Sequence, residues 1–167
     1  MIKAILATGL NGEIGQNGDM PWRRSLPKDL EYFKKVTLYQ NVVVGKNTFD
    51  TLPFDGKGFP ERETIVITKG CWKSPILSDG EAVYFFSENE LRTEDWDEYT
   101  LWIAGGGQTY RVLSDLIEEY HITTVNKSYP EADTFFKPDL SNFEKVGEPI
   151  DVSSDDLEAS VQVWRKV

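Results

Sequence analysis

The sequence is poor in the residues from which metal and disulfide chemistry is built. Of 167 residues, one is cysteine (Cys71) and one is histidine (His121). A single thiol closes no internal disulfide, and a lone thiol with a lone imidazole makes no zinc set, so no metal is expected. Cys71 reads as a small packing residue and His121 as structural rather than catalytic. Basic residues are also scarce: 18 Lys plus Arg stand against 28 Asp plus Glu, a formal charge of −10. A general nucleic-acid binder needs basic surface to neutralise phosphates, and here Trp and Tyr are not clustered with Lys and Arg as base stacking requires. No apolar run approaches the roughly 20 residues that cross a bilayer, so no membrane partner is expected. The strings G-x-S-x-G, H-E-x-x-H and C-x-x-C are missing too, which removes several hydrolytic and redox readings.

What the chain does have is core material. Hydrophobic residues make up 40% and aromatics 13%, which argues against disorder. The length suits a single domain over residues 1–167. Met1–Ala7 reads as a strand rather than a secretory leader, because Gly9 and Asn11 interrupt its short apolar run; a cytoplasmic protein is expected. Short β-branched runs at 2–7, 41–44, 64–68, 82–86, 100–104, 120–125 and 160–167 predict strands. Leu30, Phe33 and Val36 recur at helical spacing after Pro27; Tyr110, Leu113, Leu116 and Ile117 form a second stripe; Ser87 with Glu90 fits a capping box. Strands alternating with helices predict an α/β fold, a mostly parallel twisted sheet with helices on both faces. Alternation over 159–164 predicts an antiparallel C-terminal edge strand, paired with 142–146 through a solvated acidic loop (Glu148, Asp151, Asp155, Asp156).

Four constellations carry chemistry. Gly105-Gly106-Gly107-Gln108-Thr109-Tyr110 joins a strand to a helix, either as a tight turn or as a backbone cradle for an anion. Val44-Gly45-Lys46-Asn47-Thr48 is a second such corner; singly its lysine reads as solvated surface, but two glycine corners in one sheet are better explained by one ligand carrying several phosphates, with Lys46, Lys69 and Arg62 as local cations. The segment from Gly9 to Ser25, without obvious structure of its own, is either a lid or a packed loop whose Trp22 fills core. Asp29, on the first turn after Pro27, either complements the helix start or points inward with Phe33, where a buried carboxylate calls for a cationic or amidine-like ligand.

Taken in order, these pieces resemble dihydrofolate reductase: Ala7; the glycine-containing loop ending Asp19-Met20-Pro21-Trp22; Leu26-Pro27-Lys28-Asp29-Leu30; Phe33-Lys34; Val44-Gly45-Lys46-Asn47-Thr48-Phe49; Gly105-Gly106-Gly107 with Tyr110; and Asp133-Thr134-Phe135-Phe136. The likeness runs over nearly the whole chain. It implies an oxidoreductase in which NADPH delivers hydride to 7,8-dihydrofolate, giving tetrahydrofolate for one-carbon metabolism. It also implies antifolates as inhibitors and, as expected here, a monomer.

By the same resemblance Asp29 pairs with the amino-pyrimidine edge of the pterin and assists its protonation, supported by Thr123, with Met20, Trp22 and Tyr110 in the catalytic neighbourhood. Ile5, Ala7, Leu30, Phe33, Leu52, Phe59 and Ile103 line the folate site, and Arg62 takes the glutamate carboxylate. Ala7, Ile14, Gly15, Gly45, Lys46, Asn47, Thr48, Gly105, Gly106, Gly107, Gln108 and Thr109 hold the cofactor. Lys46, Thr68 and Lys69 meet its extra phosphate, and Met20 belongs to a lid. The chain departs from the family at Arg23-Arg24-Ser25, which lengthens the link before the helix. Lys46 stands where arginine is common, and Phe59 where an aliphatic residue is usual. Residues 70–80 are assigned nothing. A reductase of riboflavin synthesis is the other enzyme reading, opposed by Asp29 together with Arg62; a non-catalytic nucleotide binder is opposed by the intact acid.

Overall fold

The computed structural model describes residues 1–69, 76–78 and 81–167, without the side chains of 76–78 and 81. Cys71 and its packing role therefore lie outside the described residues. In chain order the elements are β1 (Ile2–Thr8), β2 (Glu13–Gly15), α1 (Pro27–Thr37), β3 (Asn41–Gly45), α2 (Lys46–Thr51), β4 (Glu63–Ile67), β5 (Ile76–Ser78), β6 (Glu81–Phe86), α3 (Glu88–Thr93), β7 (Leu101–Ile103), α4 (Gly107–Val112), β8 (Glu119–Val125), β9 (Thr134–Phe135), β10 (Phe143–Asp151) and β11 (Ala159–Lys166). They fall into two compact units, Met1–Lys3 with Thr37–Leu116, and Ala4–Val36 with Ile117–Val167.

The first unit holds strands in the order β7-β3-β4-β6-β5. β3 runs parallel to both β7 and β4, and β4 parallel to β6, while β5 returns antiparallel. Val42, Val43 and Val44 are all buried, as a strand covered on both faces demands. α3 opens with the predicted capping box: Ser87 Oγ accepts from the Glu90 amide at 3.1 Å, and Glu90 Oε2 accepts from the Ser87 amide at 3.3 Å. The predicted stripe through residues 110–117 is not one helix. α4 stops at Val112 and a 3-10 turn follows over Ser114–Leu116. Ser114 Oγ donates to the Arg111 carbonyl at 2.9 Å, a local bond that competes with helix continuation.

The second unit orders its strands β10-β11-β8-β1. β11 is antiparallel to β8 and β10, with Val163 opposite His121 on one side and Val146 on the other. Beyond a register shift between Val146 and Ile150 the pairing resumes, so β10 continues to Asp151, and part of the predicted acidic loop is strand. Gly147, at φ +72°, lies inside that shift. Pro27 opens α1, and Leu30, Phe33 and Val36 of its apolar stripe are only half-buried.

The segment from Gly9 to Ser25 has structure of its own. β2 pairs antiparallel with β9, and Gln16 bridges Asp19. Trp22 packs with Leu26, Val125, Val152, Ala159 and Val161, while Ala7 and Met20 lie against that cluster. Trp22 therefore fills core, one of the two readings the sequence left open. β2 escapes detection in sequence because it is three residues long and its partner comes about 120 positions later.

Candidate active site

In the second unit the site is built around one carboxylate. The start of α1 is fixed by Pro27 and by buried Leu26, whose carbonyl accepts from the amides of Asp29 and Leu30. Asp29 turns away from the helix start and reaches β8, where Thr123 Oγ1 donates to Asp29 Oδ1 at 2.6 Å. Asp29 Oδ2 receives no hydrogen bond from the described residues. Burial pushes the carboxyl above its ordinary pKa, against the opposing pull of the Thr123 bond. Leu30 and Phe33 leave apolar surface beside it, and Ala7 is half-buried. Ile5 is nearly closed off at 7% exposure. The indole Nε1 of Trp22 is buried without a partner among the described residues, an orphaned donor that calls for a polar atom. A half-buried acid with a free oxygen, apolar walls and a spare N–H suits a flat, nitrogen-rich heterocycle.

The segment carrying Ile14 and Gly15 is held by two acids. Glu13, 1% exposed, accepts from the Tyr129 amide at 2.6 Å through Oε2 and from the Asn11 amide through Oε1. Asp133 Oδ2 accepts from the Asn17 amide at 2.8 Å, and the Asp133 amide donates to the Gly15 carbonyl at 2.9 Å. The Asn17 bond, then that of Thr134, holds the Asp133 carboxyl below its ordinary pKa. Glu13 went unnoticed in the sequence, because its amide partner at Tyr129 is remote.

In the first unit the two glycine corners abut. The Gly45 amide donates to the Gly105 carbonyl at 2.9 Å. A Cβ on Gly45 would meet Thr109 Oγ1 at 2.5 Å, and one on Gly106 would meet Thr48 Oγ1 at 2.9 Å. Gly105 takes φ +128° and its peptide bond to Gly106 is cis. Glycine is thus required at both corners, and bare backbone remains where a phosphate-rich ligand could approach. Gly107 is buried, Asn47 and Gln108 are exposed, and Tyr110 is buried at 4% exposure. Gly45 stands opposite Ile67 in the parallel register, so Lys46 and the pair Thr68-Lys69 follow adjacent strand ends. Lys46 Nζ pairs with Asp50 across one turn of α2, in an exposed setting. These features fit a dinucleotide with an additional phosphate.

Arg62 is buried at 7% exposure, donating through Nε to the Pro60 carbonyl at 2.8 Å and through Nη1 to Thr37 Oγ1 at 3.2 Å. Its guanidinium lies 5.2 Å from the Phe59 ring centroid. Phe59 is itself buried, its amide donating to Thr64 Oγ1 at 2.9 Å, while Leu52 is half-buried. Ile103 has no exposed surface and serves as core in this unit.

A further cluster lies beside the carboxylate in the second unit. Arg165 donates to Glu119 Oε2 through Nε at 3.1 Å and Nη2 at 3.0 Å. Glu119 Oε1 lies 2.7 Å from His121 Nε2, and His121 Nδ1 lies 2.6 Å from the Tyr32 hydroxyl. Polar residues at alternate positions of an apolar strand (119, 121 and 123) were the signal for this cluster.

Among the described residues no helix is long and apolar enough to cross a membrane; α1 has 11 residues. The family model described as dihydrofolate reductase matches residues 1–165. Dihydrofolate reductase type 1 of Escherichia coli is 30% identical over 167 residues, covering 99% of this chain and 98% of its own. The dihydrofolate reductase of Mycobacterium tuberculosis (strain CDC 1551 / Oshkosh) is 29% identical over 130 residues, covering 78% and 74%. Among solved structures, dihydrofolate reductase from Enterococcus faecalis complexed with NADP(H) and RAB-propyl superposes with a TM-score of 0.80 at 29% identity, over 99% of this chain and 96% of that one.

Proposed function

The chain belongs to the dihydrofolate reductase family and reduces dihydrofolate with NADPH, and from that premise we propose that Asp29 is the group that fixes the pterin and assists its protonation. NADPH supplies the hydride; the residues of this chain bind, orient and manage the proton. The ionised Asp29 accepts from the amino group and ring N–H of the pterin through its two oxygens, one of them also accepting from Thr123, a charge-assisted pair of bonds. Its raised proton affinity populates the protonated carboxyl nearer neutral pH, and that form passes its proton through water to the pterin ring nitrogen, leaving the carboxylate. Thr123 orients the carboxyl and is a positioning residue.

The second unit supplies Asp29, the apolar contacts of Ile5, Ala7, Leu30 and Phe33, and the Trp22 N–H. It also contributes Ile14, Gly15 and Met20 to the nicotinamide side. The first unit supplies the dinucleotide cradle, Gly45 to Thr48 with Gly105 to Thr109 and Tyr110. Lys46, Thr68 and Lys69 take the extra phosphate, while Arg62 takes the glutamate carboxylate beside Leu52 and Phe59. The enzyme acts as a cytoplasmic monomer.

The observation that carries this reading is the Asp29–Thr123 pair, with one carboxylate oxygen left for a ligand. Asp29→Asn keeps the shape and the Thr123 bond but cannot yield the proton. Stopped-flow hydride transfer at pH 7 should fall by about 10²–10³-fold, with NADPH affinity unchanged. Parent-like transfer in Asp29→Asn removes the acid from the mechanism.

A further inference from the structure

The reaction needs Asp29 to hold a proton near neutral pH, and every additional hydrogen bond to its carboxylate works against that. Tyr32 stands three residues beyond Asp29 on α1, so the two side chains are surface neighbours of one helix. Both reach the same face of β8: Asp29 meets Thr123, and Tyr32 meets His121, two residues away on that strand. A phenol hydrogen not taken up by His121 lies about one helical turn from Asp29, on the same side of α1. The phenol is pushed up to about 12 by burial, then by the charges of Glu119 and Asp29, so it stays protonated and feels the carboxylate.

His121 gives that hydrogen another place to go. Arg165 directs two N–H groups at Glu119 Oε2, the carboxylate oxygen that does not face His121. Nε2 faces Glu119 Oε1 at 2.7 Å, so the neutral form of the ring places its hydrogen there, which makes Nδ1 an acceptor 2.6 Å from the Tyr32 oxygen. Among the described residues, the charged groups near the pair include Asp29 on α1, Glu119 on β8 and Arg165 on β11. Lys28, at the start of α1, acts on Asp151 of β10.

We propose that Glu119 and His121 are positioning residues for the reduction: they hold the Tyr32 hydroxyl hydrogen on His121 Nδ1 and so keep a second donor away from Asp29. This rests on Asp29 being the proton source. Glu119 fixes the tautomer, His121 takes the phenol hydrogen, and Asp29 retains Thr123 as its protein donor.

The test titrates Asp29 directly, without turnover. The ¹³Cγ shifts of aspartate side chains are followed against pH in the whole protein, with Asp29 identified by the signal lost in Asp29→Asn. Thermal unfolding verifies that each variant is folded. His121→Phe should lower the Asp29 midpoint by about one pH unit, because the released phenol donates to the carboxylate. Tyr32→Phe should leave the midpoint at the parent value, and the double variant should return to it. His121→Leu serves in place of His121→Phe if the larger ring is not accommodated. An unmoved midpoint in the histidine variant overturns the proposal. So does an upward shift, the signature of a cation removed from beside Asp29, or a shift that persists without the phenol. The acid role itself is judged separately by hydride transfer in Asp29→Asn, so each idea can fail alone.

Discussion

At the scale of the residue, Asp29 sets stability against chemistry. Its carboxyl is held above the ordinary carboxylate pKa, so between the unfolded and folded values the native state binds more protons than the unfolded chain. Stability therefore falls as pH rises through that window. Asp29→Asn has no charge to desolvate and should be more stable than the parent at pH 7. The advantage should vanish once pH drops below the ordinary carboxylate value. Urea midpoints measured at several pH values check this; an Asn variant no more stable than the parent at pH 7 would show that the site bears the charge without strain. The position of Asp29 at a helix start was legible in sequence, because Pro27 sets the local backbone. The aim of its side chain was not, since that depends on Thr123, 94 residues away. Likewise the isolation of His121 in sequence suggested a structural residue, while its bonds to Tyr32 and Glu119 emerge only when α1 and β8 pack.

At the scale of the element, the two glycine corners form a matched pair. Thr109 of α4 fills the space above Gly45 of β3, and Thr48 of α2 fills the space above Gly106. Gly45→Ala drives a methyl against a buried, β-branched side chain and should destabilise the apoenzyme by about 1–3 kcal/mol. Thr109→Ala removes the obstructing atom, so the double variant should recover most of that loss in urea unfolding. A double variant as weak as Gly45→Ala alone would place the conflict elsewhere. The strands flanking these corners were readable because runs such as Val42-Val43-Val44 fit a strand buried on both faces. The threonine lock was not readable, since Gly45 and Thr109 meet only through parallel pairing of β3 with β7. Short elements failed for the same reason: β2 and β9 carry too few residues to show a period, and each exists by virtue of the other.

At the scale of the molecule, charge is the dominant feature. A formal −10 over 167 residues imposes self-repulsion, and exposed pairs such as Lys46–Asp50 offset little of it. Raising NaCl from about 0.02 M to about 0.3 M shortens the screening length well below 10 Å and should raise the apoenzyme's melting temperature by a few degrees. KCl should act equally, since screening is indifferent to the cation. A fall in melting temperature with salt would mean that attractive pairs outweigh the repulsion. The class of fold was legible from alternating strands and helices, whereas strand order was not, because neighbours such as β8 and β11 are joined by long excursions of chain. Glu13 closes one such excursion with a single side chain. Because its two carboxylate oxygens guard the amides of Asn11 and Tyr129, one rotation of that side chain unveils both sites. Solvent deuterium should therefore reach the two amides at a common rate, so that two stretches of backbone remote in sequence are expected to breathe as one.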